Sequence, residues 1–131
     1  MDLELNNKKV LVTGSNRGTG QVIAEAFVAE GAEVFFHAPD SFDTQFSATG
    51  HCVCGDITTD DGADQVLEQV KAQTDRIDIL VNNFGKATRG TWQSASMDDW
   101  VDVYQINTLS VVRLVQRFTP EMPTGGRIIN L

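Results

Sequence analysis

The chain has 131 residues, enough for one domain with a continuous core, and its 41% apolar and 21% charged residues are those of a globular protein. A formal net charge of -8 argues against nucleic acid and anionic membrane surfaces as partners, since both select basic patches. No long charge block, low-complexity tract or apolar stretch of membrane-spanning length interrupts the sequence.

Met1 to Leu5 has neither a basic nor an apolar leader character, so the expectation is a cytoplasmic protein without a membrane partner. Lys9 to Thr13 reads as a first strand, apolar without alternation, as expected when both faces are covered. "TGSNRGTG" follows, from Thr13 to Gly20, and then Val22, Ile23, Ala24 and Phe27 at helical spacing. Strand, glycine turn and helix in that order present backbone N–H groups and a helix N-terminus to an anion. A simple flexible turn is the bland alternative. A nucleoside-triphosphate loop is excluded, because Gly20 is followed by Gln21 and Val22 and not by lysine and a hydroxyl residue.

The helix is expected to run from Gly18 to Glu30 and to end at Gly31, a good left-handed terminator. Glu33 to His37 is a second strand, Ala38 to Gly50 a loop with at most a weak helix, and His51 to Val53 a third strand closing at Gly55-Asp56. Cys52 and Cys54 share a face of that strand. With only His51 near them as a further metal ligand, they read as buried reduced thiols and no metal site is expected. Asp60-Asp61 can cap a helix to about Thr74, with Ala63, Val66, Leu67 and Val70 on one face. Ile79 to Val81 is a fourth buried strand ended by Asn82-Asn83, and Phe84 to Ala95 is a loop rich in Gly, Thr and Ser.

A long helix is expected from Met97 to Phe118. Trp100, Tyr104, Asn107, Val111, Leu114 and Phe118 form one stripe, widened by Val101, Leu109 and Val112. Pro120, Pro123 and Gly125-Gly126 break the chain before a fifth strand from Arg127 to Leu131. Alternating strands and helices imply an α/β fold, a doubly wound parallel sheet with helices on both faces. Ligands of such sheets bind at the carboxyl ends of the strands, where Gly14, Asp56 and Asn82-Asn83 fall. A methyltransferase sheet also carries a glycine loop here. It usually has an acid after the second strand, where Ala38-Pro39 supplies none, although Asp40 is close.

The spacing Thr13-Gly14-x-x-x-Gly18-x-Gly20 resembles the coenzyme loop of the short-chain dehydrogenase/reductase family. Asn82-Asn83-x-Gly85, Asp56-Ile57, Asn107 in Ile106-Asn107-Thr108, and Gly125 to Asn130 match further motifs of that family in order. The resemblance implies a Rossmann-type sheet in the order 3-2-1-4-5. It also implies a coenzyme site formed by Thr13, Gly14, Asn16, Arg17, Gly18, Thr19, Gly20, Asp56, Ile57, Asn82, Asn83, Phe84 and Gly85. Asn107 corresponds to the family asparagine that kinks its helix and holds a water in the catalytic relay; a polar residue satisfied by helix backbone is the other reading.

The implied reaction is hydride transfer between a nicotinamide and an alcohol or ketone, with a small-molecule substrate. NADP is expected over NAD, because Arg17 lies in the loop and Ala38 stands where NAD-specific members place aspartate; Asp40 opposes this. The Met97–Phe118 helix is the family's main subunit contact, so a homo-oligomer is expected. Two departures stand out. Phe84 replaces the usual alanine, and residues 1–131 contain neither the catalytic serine nor the Tyr-x-x-x-Lys pair. Tyr104 cannot supply that pair, because Thr108 follows it where a lysine is needed. The chain is thus expected to be a coenzyme-binding N-terminal part, inactive alone. A non-catalytic nucleotide-binding or interaction module is the alternative. The Lys86–Ser96 loop with Trp92 is a candidate wall of a substrate pocket.

Overall fold

The computed structural model describes residues 1–131. Five strands, β1 (Lys9–Val12), β2 (Glu33–Ala38), β3 (His51–Cys54), β4 (Ile79–Asn82) and β5 (Arg127–Asn130), form one sheet in the order β3-β2-β1-β4-β5. Every pairing is parallel. The expected order is therefore the observed one. β1 lies at the centre with its neighbours in register, Leu11 facing Phe35 on one side and Leu80 on the other.

Alternate residues of the strands feed two separate cores, as the pleat requires. Leu11, Phe35, Val53 and Leu80 point to the side covered by α2 (Asp60–Lys71) and α4 (Ser110–Phe118), where Ala63, Val66, Val70, Leu114 and Phe118 complete the cluster. Val10, Val12, Val34, Phe36, Ile79 and Val81 point to the opposite side, under Ala24 of α1 (Gly18–Ala29). The segment between β2 and β3 forms turns without a helix. Phe42 and Phe46 anchor it on the α1 side, with the Phe46 ring 5.4 Å from that of Phe36.

The first helix ends as expected. Gly31 sits at φ +84°, and the N–H groups of Gly31 and Ala32 donate to Val28 and Phe27, the paired bonds of a left-handed helix stop. The second helix begins differently from the expectation. Its cap is Thr59, whose hydroxyl accepts from Gly62 N–H at 3.0 Å, while Asp60 and Asp61 occupy the first turn, where their charge complements the helix dipole. The helix also stops earlier, at Lys71.

The expected single helix over Met97–Phe118 is three segments: α3 (Met97–Tyr104), a π-helical stretch (Gln105–Leu109) and α4. The wider turn rotates the face that follows it. As a result Ser110, Leu114 and Phe118 are the buried residues, while Trp100 and Tyr104 of the expected stripe are exposed and α3 buries nothing. Ser110 holds the wider turn through its backbone and its side chain. Ser110 N–H donates to Gln105 C=O, and the Ser110 hydroxyl takes over the Ile106 carbonyl at 2.6 Å.

The two thiols also correct an expectation. Cys52 is exposed and Cys54 half-buried, because β3 is an edge strand whose outer flank has no neighbour. No helix is long and apolar enough to cross a membrane.

Candidate functional site

The connections after β1 and β4 leave the sheet on opposite sides, toward α1 and toward the α3–α4 segment, and open a crevice between the two strand ends. Thr13 spans it. Its hydroxyl, 1% exposed with its residue, accepts from Asn83 N–H at 3.0 Å and Phe84 N–H at 2.9 Å. Asn83 returns the contact, its side-chain amide donating to the carbonyls of Thr13 at 3.0 Å and Gly14 at 3.3 Å. A Cβ on Gly20 would strike the Gly14 carbonyl and the Asn83 amide, so the first turn of α1 closes on this clamp only because residue 20 is glycine.

Gly14 and Gly18 adopt φ +62° and +57°, conformations that favour glycine, and between them the chain runs through half-buried Asn16 and exposed Arg17. Arg17 is the extended residue before α1 and makes no side-chain cap, and the first turn of α1 contains no acid. The other two helices that begin from loops are closed. Thr59 caps α2 ahead of Asp60 and Asp61, and Ser96 with Asp99 forms a capping box on α3. The N–H groups of Gly18, Thr19 and Gly20 therefore start the one such helix that has no internal acceptor, and a Cβ at Gly18 would meet nothing within 4 Å. Such an open helix N-terminus can accept an anion.

Below the glycine turn lies a residue that strand reasoning passes over. His37 is 0% exposed. Its Nδ1 accepts from Gly14 N–H at 3.0 Å and its Nε2 donates to Gly55 C=O at 2.9 Å. A donor on one side and an acceptor on the other define a neutral ring carrying its proton on Nε2. Burial pushes the His37 pKa down, against the opposing pull of the Gly55 carbonyl and Asp56. Ser15 completes the tie, its hydroxyl accepting from His37 N–H at 2.8 Å. The signal in the sequence was a polar residue inside the apolar run Val34-Phe35-Phe36-His37-Ala38.

Phe84 turns its ring edge-on to His37, centroids 6.2 Å apart, and packs against the α2-side core. Asp56 is exposed and its carboxylate accepts from Thr58 N–H at 3.0 Å and Thr58 hydroxyl at 2.6 Å. Ile57 is 1% exposed, so its side chain belongs to the core. Asn82 points the other way along the crevice, donating to Asn130 Oδ1 at 2.9 Å and fixing β5 beside β4.

Asn107 lies in the π-helical stretch. Its amide donates to Val103 C=O at 3.1 Å and Lys86 C=O at 2.9 Å, and its oxygen accepts Lys86 N–H at 2.9 Å. Helix backbone thus satisfies one of its bonds, and the others brace the turn after β4. Gly85 admits it, since a Cβ there would lie 2.5 Å from Asn107 Oδ1. Beyond this brace the loop and α3 border an open groove of about 350 Å³ that includes Arg89, Asp99, Val103 and the Trp92–Trp100 pair, ring centroids 5.5 Å apart. Thr13, Gly14, Gly20, Asn83 and Phe84 thus meet at one end of the sheet, Asn107 braces the turn after β4, and His37 links Gly14 to Gly55.

The family model for short chain dehydrogenases matches residues 8–131. The chain belongs to that family. It is 34% identical over 140 residues to the oxidoreductase YvrD of Bacillus subtilis, covering 100% of this chain and 53% of that protein. It is 32% identical over 136 residues to the 3-oxoacyl-acyl-carrier-protein reductase FabG of Escherichia coli, covering 98% of this chain and 56% of that one. Among solved structures, the L-sorbose reductase of Gluconobacter frateurii, complexed with NADPH and L-sorbose, superposes with a TM-score of 0.88 at 31% identity, over 99% of this chain and 54% of that chain. The chain spans about half the length of these relatives.

The clamp has a measurable cost of removal. Thr13→Val keeps the shape but leaves the Phe84 N–H without an acceptor and the Asn83 N–H with only the Val81 carbonyl at 3.2 Å, and is expected to destabilise the fold by about 1–3 kcal/mol. Thr13→Ser should recover most of that loss. Urea denaturation at unchanged m-value measures both, and a Thr13→Val midpoint equal to wild type would show that the hydroxyl does not tie the strands.

Proposed function

We propose that residues 1–131 are the coenzyme-binding domain of an NADP-dependent oxidoreductase of the short-chain dehydrogenase type. The observation that carries the reading is the uncapped α1 N-terminus behind Gly14 and Gly18, held against the β4 turn by Thr13 and Asn83. In this assignment the N–H groups of Gly18, Thr19 and Gly20 hold the pyrophosphate, with Thr13, Gly14 and Asn16 shaping the turn. Asp56 and Ile57 border the adenine, the latter through its backbone. Asn82, Asn83, Phe84 and Gly85 form the edge next to the ribose. The bound nicotinamide supplies or accepts a hydride.

Arg17 is exposed beside this cradle, and Ala38, at the end of β2, offers no carboxylate to ribose hydroxyls. Both features favour a 2′-phosphate, hence NADP over NAD. The complex of the Gluconobacter frateurii reductase with NADPH supports the same preference. Calorimetry is expected to give tighter binding of NADP than of NAD, and Arg17→Ala should weaken NADP alone by about 1.5–3 kcal/mol through loss of a charge-assisted hydrogen bond. Equal affinities for the two, or an Arg17→Ala variant with wild-type affinity, would overturn the preference.

The chemistry proposed for the whole enzyme is hydride exchange between the nicotinamide and a small alcohol or ketone, with Asn107 bracing the relay end of the crevice. Proton delivery to the carbonyl oxygen needs a group poised near neutral pH. Residues 1–131 contain no Tyr-x-x-x-Lys pair for it. His37 cannot substitute, being sealed beneath the glycine turn with both ring nitrogens engaged. This segment alone is expected to show no NADP-linked turnover across a panel of ketones and alcohols, read as absorbance of the reduced nicotinamide. Turnover above background would place the relay among residues now assigned elsewhere.

Self-association is the last element of the proposal. Trp100, Val101, Tyr104 and Val112 are exposed by 41% or more along the α3–α4 segment, a surface suited to a second copy of the chain in a cytoplasmic homo-oligomer. Light scattering at micromolar concentration should return a dimer or larger species, and Trp100→Glu with Tyr104→Glu should return a monomer. A wild-type monomer would remove this part of the proposal.

A further inference from the structure

The ring of His37 joins the two halves of the proposed nucleotide site. On one side it holds Gly14 N–H, at the first bend of the glycine turn; on the other it holds Gly55 C=O, next to Asp56. The Gly14 residue is therefore pinned from both directions, its N–H by His37 and its carbonyl by the Asn83 amide. Its φ of +62° leaves it the residue at which the turn changes direction, so its orientation sets the path of the loop that leads to the N–H groups of α1. We propose that His37, as a neutral imidazole, is a positioning residue for the nucleotide, setting the glycine turn through its Nδ1 so that a proton on that nitrogen weakens binding. This rests on the reading that the chain binds NADP.

The chemistry of the two ring nitrogens makes the effect one-sided. A proton on Nδ1 faces a backbone N–H, two donors with no acceptor between them, while the Nε2 bond to Gly55 is kept. The disturbance therefore falls on Gly14 and not on β3. The ring meets Gly14 from the β1 turn, Gly55 from the end of β3 and Phe84 from the β4 turn, Ser15 holds the His37 backbone N–H, and Asp56 is the charged side chain whose field acts on the ring, favouring the proton. Burial outweighs that field, so the ring stays neutral at neutral pH and the coupling is lost on acidification.

The sign separates this role from simple electrostatics. An imidazolium under a phosphate cradle would attract the anion and tighten binding in acid, whereas a positioning residue loosens it. The linkage runs the same way for stability. A pKa lowered in the folded state favours folding at pH above the ordinary histidine value of 6.5, and that contribution declines as pH falls through 6.5 toward the folded-state pKa.

The test uses the full chain and NADP by calorimetry between about pH 8 and pH 5, with His37→Asn and His37→Gln as variants. Asparagine places an uncharged acceptor where Nδ1 stands and does not titrate; glutamine reaches the Gly55 side and gives up the Gly14 bond. The ratio of wild-type to His37→Asn affinity at each pH cancels the titration of the 2′-phosphate itself. We expect that ratio to stay near one while the ring is neutral and to fall as the ring takes up its proton, by up to about tenfold once it is charged, the equivalent of one lost hydrogen bond. His37→Gln should bind more weakly than His37→Asn at every pH. A flat ratio, or wild-type binding that tightens in acid relative to His37→Asn, overturns the proposal. The second readout needs neither nucleotide nor variant. In nuclear magnetic resonance of the wild type, the Gly14 amide shift should titrate with the His37 ring, and its hydrogen exchange should accelerate in the same range beyond the general pH trend. A Gly14 amide indifferent to the ring overturns the proposal. Absence of NADP binding at neutral pH, with the Gly14 amide still following the ring, would refute the nucleotide reading and leave the His37–Gly14 coupling standing.

Discussion

The hydroxyl of Thr13 is the point from which the rest of the site is hung. Two parallel strands that send their connections to opposite sides of a sheet leave a gap at their carboxyl ends, and the backbone groups around such a gap lose the regular ladder that would satisfy them. One buried oxygen accepting from both Asn83 and Phe84 supplies what the ladder no longer can, and the Asn83 amide answers by taking up the Thr13 and Gly14 carbonyls. Once those bonds are made the glycine turn cannot swing, and α1 must approach it closely. Gly20 is the residue that permits that approach, its missing Cβ being the space the Gly14 carbonyl occupies.

From this clamp the braces run outward in both directions. Toward β3, Gly14 N–H donates to His37 Nδ1, and His37 Nε2–H donates to the Gly55 carbonyl, so that the end of the third strand is located relative to the first. Toward the helices, Gly85 makes room for Asn107, which closes on both backbone groups of Lys86. That contact requires the amide to leave the helix surface at a place where the backbone is already irregular. The π-helical stretch provides it, and the Ser110 hydroxyl satisfies the carbonyl that the wider turn displaces. The price of the wider turn is packing: α3 follows no groove of the sheet and keeps its aromatic residues exposed.

Charge follows the same plan. The chain is strongly acidic, yet its acids are not spread evenly over the helix N-termini. Asp60 and Asp61 fill the first turn of α2, and Asp98 and Asp99 that of α3, while α1 starts with none. Arg113 and Arg117 of α4 reach back to Asp60 and Asp64 and join the two helices of one layer, with the Arg113 pair at 2.9 Å and the Arg117 pair at 2.7 Å. Negative charge on α2 is thereby occupied in holding the fold. The start of α1 is left without a side-chain cap or an acid, which lets an acidic protein present one locally positive end of a helix.

Local sequence determined the strands, the helix stop at Gly31, the glycine turn and the asparagine turn. Each depends on hydrophobic runs or on backbone conformations that a residue type permits within a few positions of itself. The order of the sheet was legible through family likeness, and the placement of the expected site residues at one end of it followed. Tertiary structure alone decided what depends on the opposite wall. Leu114 and Phe118 are buried and Trp100 and Tyr104 are not, because a periodicity read at a constant turn cannot anticipate the wider turn between them. Cys52 is exposed because its strand lies at an edge, a property of sheet order and not of the strand. Ile57 is a core residue because α2 folds over it, while its neighbour Asp56 remains at the surface. His37 is the sharpest case: a histidine in a strand says nothing of its partners, and only the meeting of a glycine N–H from one turn with a glycine carbonyl from another fixes its proton and gives the ring its place in the site.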